Sequence, residues 1–336
     1  MKHTTNREWV LNRRPDGDIA DGDLVLRESP IPSPKEGEVL MRTTYLSLDP
    51  TNRIWMSDID QYMEPVQVND PMRGGLVGEV VDSRAGAFKA GDRVMALGTW
   101  SDFFCAPAAH FAAVPPVPGL DVKEVFGIYF SVGPTAYFGL VELGTPKIGE
   151  TLVVSTAAGA VGSIVGQIGK ALGCRVVGIA GGTEKCRWIT EELCFDAAID
   201  YKSEDVTAAL REYCPAGIDV YFDNVGGDIL DAVLGQMNRF GRVVVCGLIS
   251  MYNAKGPVAG PSHYSAILMK RLKVQGFIIL DYITRFAEAY RALTELRAQG
   301  KLKWRFHEVE GLENADETVR LLYQGGNHGK LLIKVR

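Results

Sequence analysis

The chain is short of the features that mark several function classes. Among its 336 residues are only five histidines and six cysteines. Cys105, Cys174, Cys186, Cys194, Cys214 and Cys246 form no C-x-x-C pair and lie close to no histidine. A metal framework and a disulfide scaffold both lack their spacing, so no metal site is expected and reduced thiols are. No basic cluster is present and the net charge is -5, which argues against nucleic acid and acidic membrane surfaces as partners. The N-terminus, Met1-Lys2-His3-Thr4-Thr5-Asn6-Arg7, has no apolar run of the signal-peptide kind, and cytoplasm is the expected compartment. The longest uncharged stretch near the middle, Thr151 to Gly169, carries four glycines and the polar Ser155, Thr156, Ser163 and Gln167, which argue against a membrane span. Internal repeats and low-complexity segments are also missing.

What is there is ordinary globular material, 46% hydrophobic and 23% charged, enough for about two domains. Its most informative part is Val153-Val154-Ser155-Thr156-Ala157-Ala158-Gly159-Ala160-Val161-Gly162, an apolar strand running into a glycine turn and then a helical pattern. Gly159 and Gly162 fill the last two positions of G-x-G-x-x-G, and Ala157 stands at the first. A helix over 160–172 would aim its free N–H groups and positive end at a pyrophosphate. Alone, such a turn can also pack with no ligand. A second strand, Arg175 to Ala180, ends about 20 residues past the glycines, where an adenosine ribose belongs. No acid stands there to bind the ribose hydroxyls. Gly181-Gly182-Thr183-Glu184-Lys185 offers space, a hydroxyl and a cation, which fits NADP better than NAD.

The texture of the chain changes twice. Residues 1 to about 125 are rich in Pro and Gly, with short β-like runs at 37–45, 78–81 and 93–97, and read as a mostly β domain. From about Val125 strands and helices alternate. Strands are expected at 151–156, 175–180, 197–200, 218–223, 242–247 and 273–279, with helices at 183–194, 203–213 and 227–238. That alternation predicts α/β architecture with a doubly wound parallel sheet. A polar helix is expected near 284–299. The apolar strand Lys330 to Val335 could then complete the first domain and make it discontinuous.

Several of these stretches together resemble a known family. They are Arg14-Pro15-Asp16-Gly17, Tyr45-Leu46-Ser47-Leu48-Asp49-Pro50, Met72-Arg73-Gly74-Gly75, Gly133-Pro134-Thr135-Ala136-Tyr137, the 157–162 turn, Tyr221-Phe222-Asp223-Asn224-Val225-Gly226-Gly227, the run Cys246 to Asn253, Gly276-Phe277, and Gly325-Gly326-Asn327-His328-Gly329-Lys330. The chain is similar, nearly end to end, to the zinc-independent medium-chain dehydrogenases/reductases. Within them it resembles the NADPH-dependent alkenal/one reductases related to leukotriene B4 12-hydroxydehydrogenase and prostaglandin reductase, including bacterial curcumin-reductase-like members. Zinc-dependent relatives carry a Gly-His-Glu segment and a four-cysteine lobe, whereas here Met72-Arg73-Gly74-Gly75 stands in the comparable region and the lobe is absent.

The resemblance implies a Rossmann dinucleotide-binding domain over 126–299 and a mostly β, GroES-like substrate and catalytic domain over 1–125 and 300–336. It places Gly159, Ala160, Val161 and Gly162 along the pyrophosphate of NADP(H), and Lys185 and Tyr201 at the 2′-phosphate. Asn224 and the segment Cys246, Gly247, Leu248, Ile249, Ser250, Met251 and Tyr252 would lie along the nicotinamide, with Phe277, Ile278, Ile279 and Asn327 closing over the ring. Structural readings stay open beside these: Tyr201 as a strand cap, Asn224 as a turn former, Cys246 and Phe277 as core.

The implied chemistry is reduction of the C=C bond of an α,β-unsaturated ketone or aldehyde, with charge building on the carbonyl oxygen. That oxygen needs a hydrogen-bond donor and the α-carbon a proton. Several relatives place a tyrosine eight residues before the Phe of Gly276-Phe277, and this chain has Met269 there. Tyr252, Tyr62 and Tyr264 are the candidate donors in its stead. Met56, Met63, Met251 and Met269 are candidates for an adaptable substrate wall or ordinary packing. Quinone reduction and a non-catalytic NADPH sensor are the alternatives. A small apolar enone or enal is the expected partner, and by resemblance alone so is a homodimer.

Overall fold

The computed structural model describes residues 5–335, which divide into two compact units. One contains the chain up to Phe130, together with Phe306–Asn327 and the chain from Leu331 on; the other contains Ser131–Arg305 and His328–Lys330.

In the first unit β1 (Thr5–Leu11) and β2 (Leu24–Pro30) form an antiparallel pair. The main sheet uses β3 (Glu38–Ser47), β4 (Arg73–Ser83), β5 (Arg93–Thr99), β6 (Phe103–Pro107) and β7 (Phe111–Ala113). The short α1 (Thr51–Trp55) lies between β3 and β4, and α2 (Val122–Tyr129) follows β7. Asp121 and Glu124 close α2 with a reciprocal capping box, which satisfies N–H groups the helix start would otherwise strand.

The second unit runs α3 (Val132–Tyr137), β8 (Thr151–Ser155), α4 (Ala160–Ala171), β9 (Arg175–Ala180), α5 (Thr183–Arg187), β10 (Ala197–Asp200), α6 (Val206–Tyr213), β11 (Ile218–Asp223), α7 (Gly227–Gln236), β12 (Met237–Val245), α8 (Ser265–Met269), β13 (Lys273–Gly276) and α9 (Phe286–Ala298). The chain then returns to the first unit with β14 (Phe306–Glu310), α10 (Ala315–Gln324) and β15 (Lys330–Lys334). Leu332, Ile333 and Lys334 pair antiparallel with β3, so the C-terminal strand belongs to the main β sheet, whose order is β14-β15-β3-β4-β5-β7 with β6 beside β3.

The six-stranded sheet of the second unit has the order β10-β9-β8-β11-β12-β13, and its pairings are parallel. Two half-sheets therefore wind outward from the β8/β11 boundary, the Rossmann arrangement, and ligands in such sheets bind beyond the strand ends at that boundary. The sequence supports it directly. All five residues of β8 are buried, as a central parallel strand covered on both faces requires. Helix α4 packs close to the sheet because it presents glycine: a Cβ on Gly169 would come within 2.4 Å of the Leu152 side chain and one on Gly166 within 1.8 Å of the Phe195 ring.

Four expected elements differ most at their ends. The helix from 183 becomes π-helical over Trp188–Glu192 and stops before Cys194, whose φ is +60°. The helix from 227 ends at Gln236, and β12 begins five residues before the expected 242 because the Met237 backbone is already extended. The register then shifts between Ile218 and Val220 where Phe240 takes a φ of +64°. Strand β13 stops at Gly276, and Ile279–Arg285 coil into a 3-10 turn instead. Met56 is fully buried in the core of the first unit, a packing residue and not an exposed substrate wall.

Candidate functional site

The turn between β8 and α4 is shaped by backbone contact. Gly159 N–H donates to Thr156 O at 2.8 Å, Ala157 N–H donates to Ile179 O at 3.0 Å, and Thr156 takes a φ of +51°. A β-branched residue in that region is a strained conformation, held here by the surrounding bonds. A Cβ on Gly162 would stand 2.4 Å from Thr156 O, so only glycine allows the helix to start this close to the turn. Ala157, at the place of the missing first glycine, is fully buried, and its methyl would lie 2.8 Å from a Cβ on Gly178 of the adjacent strand. The space a glycine would have given in the turn is supplied across the sheet. Gly159 caps α4 without any side-chain hydrogen bond, so the first N–H groups of this twelve-residue helix are not closed off by a capping side chain. The C-terminal segment reaches the same turn: Gly329 N–H donates to Ala158 O at 3.2 Å, and Gly159 and Gly329 form a parallel bridge.

At the ends of β9 and β10 the structure gathers Gly181, Gly182, Lys185, Tyr201 and Lys202. A Cβ on Gly181 would touch the Tyr201 ring at 2.8 Å, while Gly182, at φ +98°, has open space where a Cβ would be. Burial lowers the Lys185 pKa, the positive charge of Lys202 lowers it further, and Glu184 opposes them. Two lysines thus share one field beside an open glycine corner. Asp200 also lies here, but both ends of its role are internal. Its Oδ1 accepts the N–H groups of Gly182 at 2.7 Å and Lys202 at 3.1 Å. Burial pushes its carboxyl up, yet these bonds and the field of Lys202 hold it below the ordinary aspartate value.

The turn after β11 is organised differently. Asp223 is fully buried, and its Oδ1 accepts from Tyr221 Oη at 2.8 Å and from the Val225 and Gly226 N–H groups at 2.9 Å each. Its Oδ2 is buried with no partner among the described residues, and burial raises its pKa despite those bonds. The Asp223 carbonyl accepts the N–H groups of Cys246 at 2.8 Å and Gly247 at 3.1 Å. Asn224 donates from its backbone N to Ser155 Oγ at 2.8 Å and from Nδ2 to Ser155 O at 2.7 Å. Ile249 and Ser250 bond back to the Asn224 and Val225 carbonyls, and Tyr252 Oη accepts the Leu248 N–H at 2.9 Å. The structure therefore brings Ser155, Asn224 and the 246–252 segment together beyond the β8/β11 boundary. Burial, reinforced by Asp223, pushes the Cys246 thiol up to about 12, so it stays protonated and is no nucleophile near neutral pH.

Phe277 turns its ring inward: a Cβ on Gly139 would lie 2.7 Å from both the Phe277 and Phe222 rings, and Tyr282 meets Phe277 edge-on at 6.2 Å. Ile278 and Ile279 are half-buried beside it. Asn327 ends the segment assigned to the first unit, immediately before the His328–Lys330 stretch of the second.

The three tyrosines have unlike settings. Tyr252 is tied to the Leu248 backbone within its own turn. Tyr264 is 68% exposed and edges a surface hollow with Ser265, Ile267, Leu268 and Arg271, and Met269 near it is 66% exposed. Tyr62, in the first unit, accepts from Trp55 Nε1 at 3.0 Å and shares a hydrogen bond with Thr51 Oγ1. When Thr51 donates, Tyr62 Oη accepts twice and its own proton points to a third partner. Burial raises its pKa, so it is a neutral donor.

The motifs assign no site role to Ser155, Thr156, Asp200, Lys202, Asp223 and Gly329, although Ser155, Thr156, Asp223 and Gly329 stand inside the motif stretches themselves. What they do, and what Gly178 does, follows from contacts between segments distant in sequence.

Among the described residues no group of three or more His, Cys, Asp or Glu side chains is arranged to hold a metal ion, and no helix is long and apolar enough to cross a membrane. Two family descriptions match the chain: "N-terminal domain of oxidoreductase" over residues 7–114 and "Zinc-binding dehydrogenase" over 160–295. The NADPH-dependent curcumin reductase of Escherichia coli is 43% identical, over 98% of this chain and 97% of its own. Prostaglandin reductase 1 of Bos taurus is 37% identical over 98% of each. The crystal structure of CurA from Vibrio vulnificus in complex with NADPH superposes with a TM-score of 0.93 at 43% identity, covering 98% of this chain and 99% of that one. With likeness of this extent at both levels, the chain belongs to the zinc-independent, alkenal-reductase-like branch of the medium-chain dehydrogenase/reductase family.

Proposed function

We propose that this protein reduces the C=C bond of α,β-unsaturated ketones and aldehydes with NADPH. The observation that carries the reading is the glycine-shaped turn at the β8/β11 boundary, joined to a two-lysine corner at the ends of β9 and β10 in a chain akin, over 98% of its length, to an NADPH-dependent curcumin reductase. The residues fit the cofactor on their own terms. Gly162 lets the start of α4 sit against Thr156 O, and the uncapped N–H groups of the helix's first turn, from Gly159 through Ala160 and Val161 to Gly162, are what a pyrophosphate would meet. Lys185, Lys202 and Tyr201 offer charge and a hydroxyl to a 2′-phosphate, while of the nearby acids Asp200 turns its Oδ1 to the Gly182 and Lys202 N–H groups and Glu184 partly offsets the field of Lys185.

When bound, NADPH supplies the hydride that reaches the substrate β-carbon. The chain's own work is to place and stabilise. Asn224 and the 246–252 segment, held by Asp223 and Ser155, would form the wall for the nicotinamide end, with Phe277 to Ile279 as further contacts. Tyr62 is the leading donor to the carbonyl oxygen where negative charge develops, because Trp55 and Thr51 hold its oxygen and its raised pKa keeps its proton in place. Tyr252, with its hydroxyl engaged in its own turn, ranks second, and the exposed Tyr264 third. We assign the substrate and catalytic role to the unit with the seven-stranded sheet and cofactor binding to the six-stranded one.

Support for a homodimer comes from β13, whose outer edge is unpaired among the described residues, with Val274 on it and Leu268 and Met269 exposed nearby. Support for a cytoplasmic location is that all six cysteines are free. The direct test follows NADPH oxidation with linear enones, enals and a quinone, repeated with NADH. Enone-dependent oxidation preferring NADPH is expected, with Tyr62→Phe lowering kcat roughly 10- to 1,000-fold at unchanged cofactor affinity. Turnover of quinones alone, or cofactor binding with no turnover, would replace the proposal by a quinone reductase or a sensor.

A further inference from the structure

Arg73 opens β4 in the segment where zinc-dependent relatives carry Gly-His-Glu, and nothing in the reaction above uses its charge. Its guanidinium lies over the Trp55 ring, 5.5 Å from the centroid, and Nη1 donates to the Glu64 carbonyl at 2.9 Å. No carboxylate of the described residues comes within 4.0 Å of it, although Glu64 and Tyr62 both act on it electrostatically. The side chain is half-buried, and burial lowers its pKa. Asn52 Nδ2 bonds the Arg73 carbonyl at 3.2 Å and fixes its backbone to α1. The same indole that Arg73 covers donates its Nε1–H to Tyr62 Oη, so Trp55, itself only 7% exposed, carries a cation on its face and a phenol at its edge. The nearest acid acting on Tyr62, Asp49, is occupied by Ser47.

A cation withdrawn from water without an ion pair is unfavourable, and covering Trp55 needs no charge, since a methionine or leucine would do so. A guanidinium with most of its planar fork unused is matched by a carboxylate, which it can take through two parallel N–H···O bonds. We propose that Arg73, beside Tyr62 on the Trp55 indole, forms a subsite for a carboxylate carried by the unsaturated carbonyl substrate, so that keto-alkenoic acids are preferred over their neutral esters. The inference rests on the reading of this protein as an enone reductase and names its substrate class.

The test compares a keto-alkenoic acid with a terminal carboxylate and its methyl ester, with a simple neutral enone as reference. Wild type is expected to show a KM for the acid at least tenfold below that for the ester. Arg73→Met should raise the KM for the acid roughly 10- to 100-fold more than that for the ester, with kcat less affected, and Arg73→Lys should recover part of the difference. Calorimetric titration of the saturated keto acid, which needs no turnover, should lose affinity in the same order. Equal loss on acid and ester, or no wild-type preference for the acid, would overturn the subsite while leaving enone reduction standing. No oxidation of NADPH with the reference enone would overturn the reductase reading itself, and the calorimetric titration would still judge the subsite.

Discussion

The two turns beside the β8/β11 boundary reach the same place by opposite means. After β8 the chain removes side chains: Gly162 lets the start of α4 sit against Thr156 O, and no side chain caps the helix. After β11 it buries one: Asp223 draws Tyr221, Val225 and Gly226 onto a single oxygen, and its carbonyl takes Cys246 and Gly247. The first turn is built for an anion to approach backbone, and the second for a rigid wall. A change that adds atoms should therefore ruin the first, and one that removes atoms should ruin the second.

Gly162→Val separates them most sharply. Its Cβ would need the 2.4 Å space to a backbone oxygen, which has no rotamer by which to move away. We expect NADPH affinity to fall more than about a hundredfold in a fluorescence titration, at a stability cost of about 1–3 kcal/mol from overpacking one buried turn. If the variant binds NADPH like wild type, the close approach of backbone to phosphate is not what this turn provides.

At the second turn the main effect falls on stability. Asp223→Ala strands the Tyr221 hydroxyl and two N–H groups in a dry site, which should destabilise the fold by about 3 kcal/mol in urea denaturation. Asp223→Asn retains an acceptor and should recover at least half of that. The charge has its own signature. A carboxyl whose folded pKa is raised above 3.8 binds more protons folded than unfolded, so its contribution to stability falls as pH rises through that interval. Asp223→Asn should abolish that component, and an unchanged stability-pH profile would show that the donors at Oδ1 outweigh burial.

The same contrast explains what could be read from the chain. Gly159, Gly162 and the β8 strand were legible because a steric need leaves only one residue type, and the βα alternation leaves only one sheet. The boundaries at Gln236 and Gly276 were not, since an αL residue such as Phe240 and a 3-10 turn depend on neighbours distant in sequence. The exchange of glycine between turn and strand, Ala157 against Gly178, is visible only once β8 and β9 are paired. Met269 marked where a donor is missing, but no pattern of residue types distinguishes Tyr62, Tyr252 and Tyr264. Hydrogen bonds to Trp55, Leu248 or none do so.

The smallest effect, and the most selective, is expected at the lysine corner, which serves the first turn without shaping it. Lys185→Met removes a cation and adds no bulk, so NADPH affinity should fall roughly 10- to 100-fold while NADH, which has no 2′-phosphate, changes less than about twofold. The pH dependence fixes the charge as the cause. Burial first and Lys202 second push the Lys185 pKa below 10.5, so its proton is lost at a lower pH than that of a free lysine. NADPH affinity should therefore decline as pH rises from below 10.5, NADH affinity should stay flat over the same range, and Lys185→Met should flatten the NADPH curve. A decline that survives in Lys185→Met would show that the charge of Lys185 is not what NADPH affinity follows, and would move the 2′-phosphate contact away from α5.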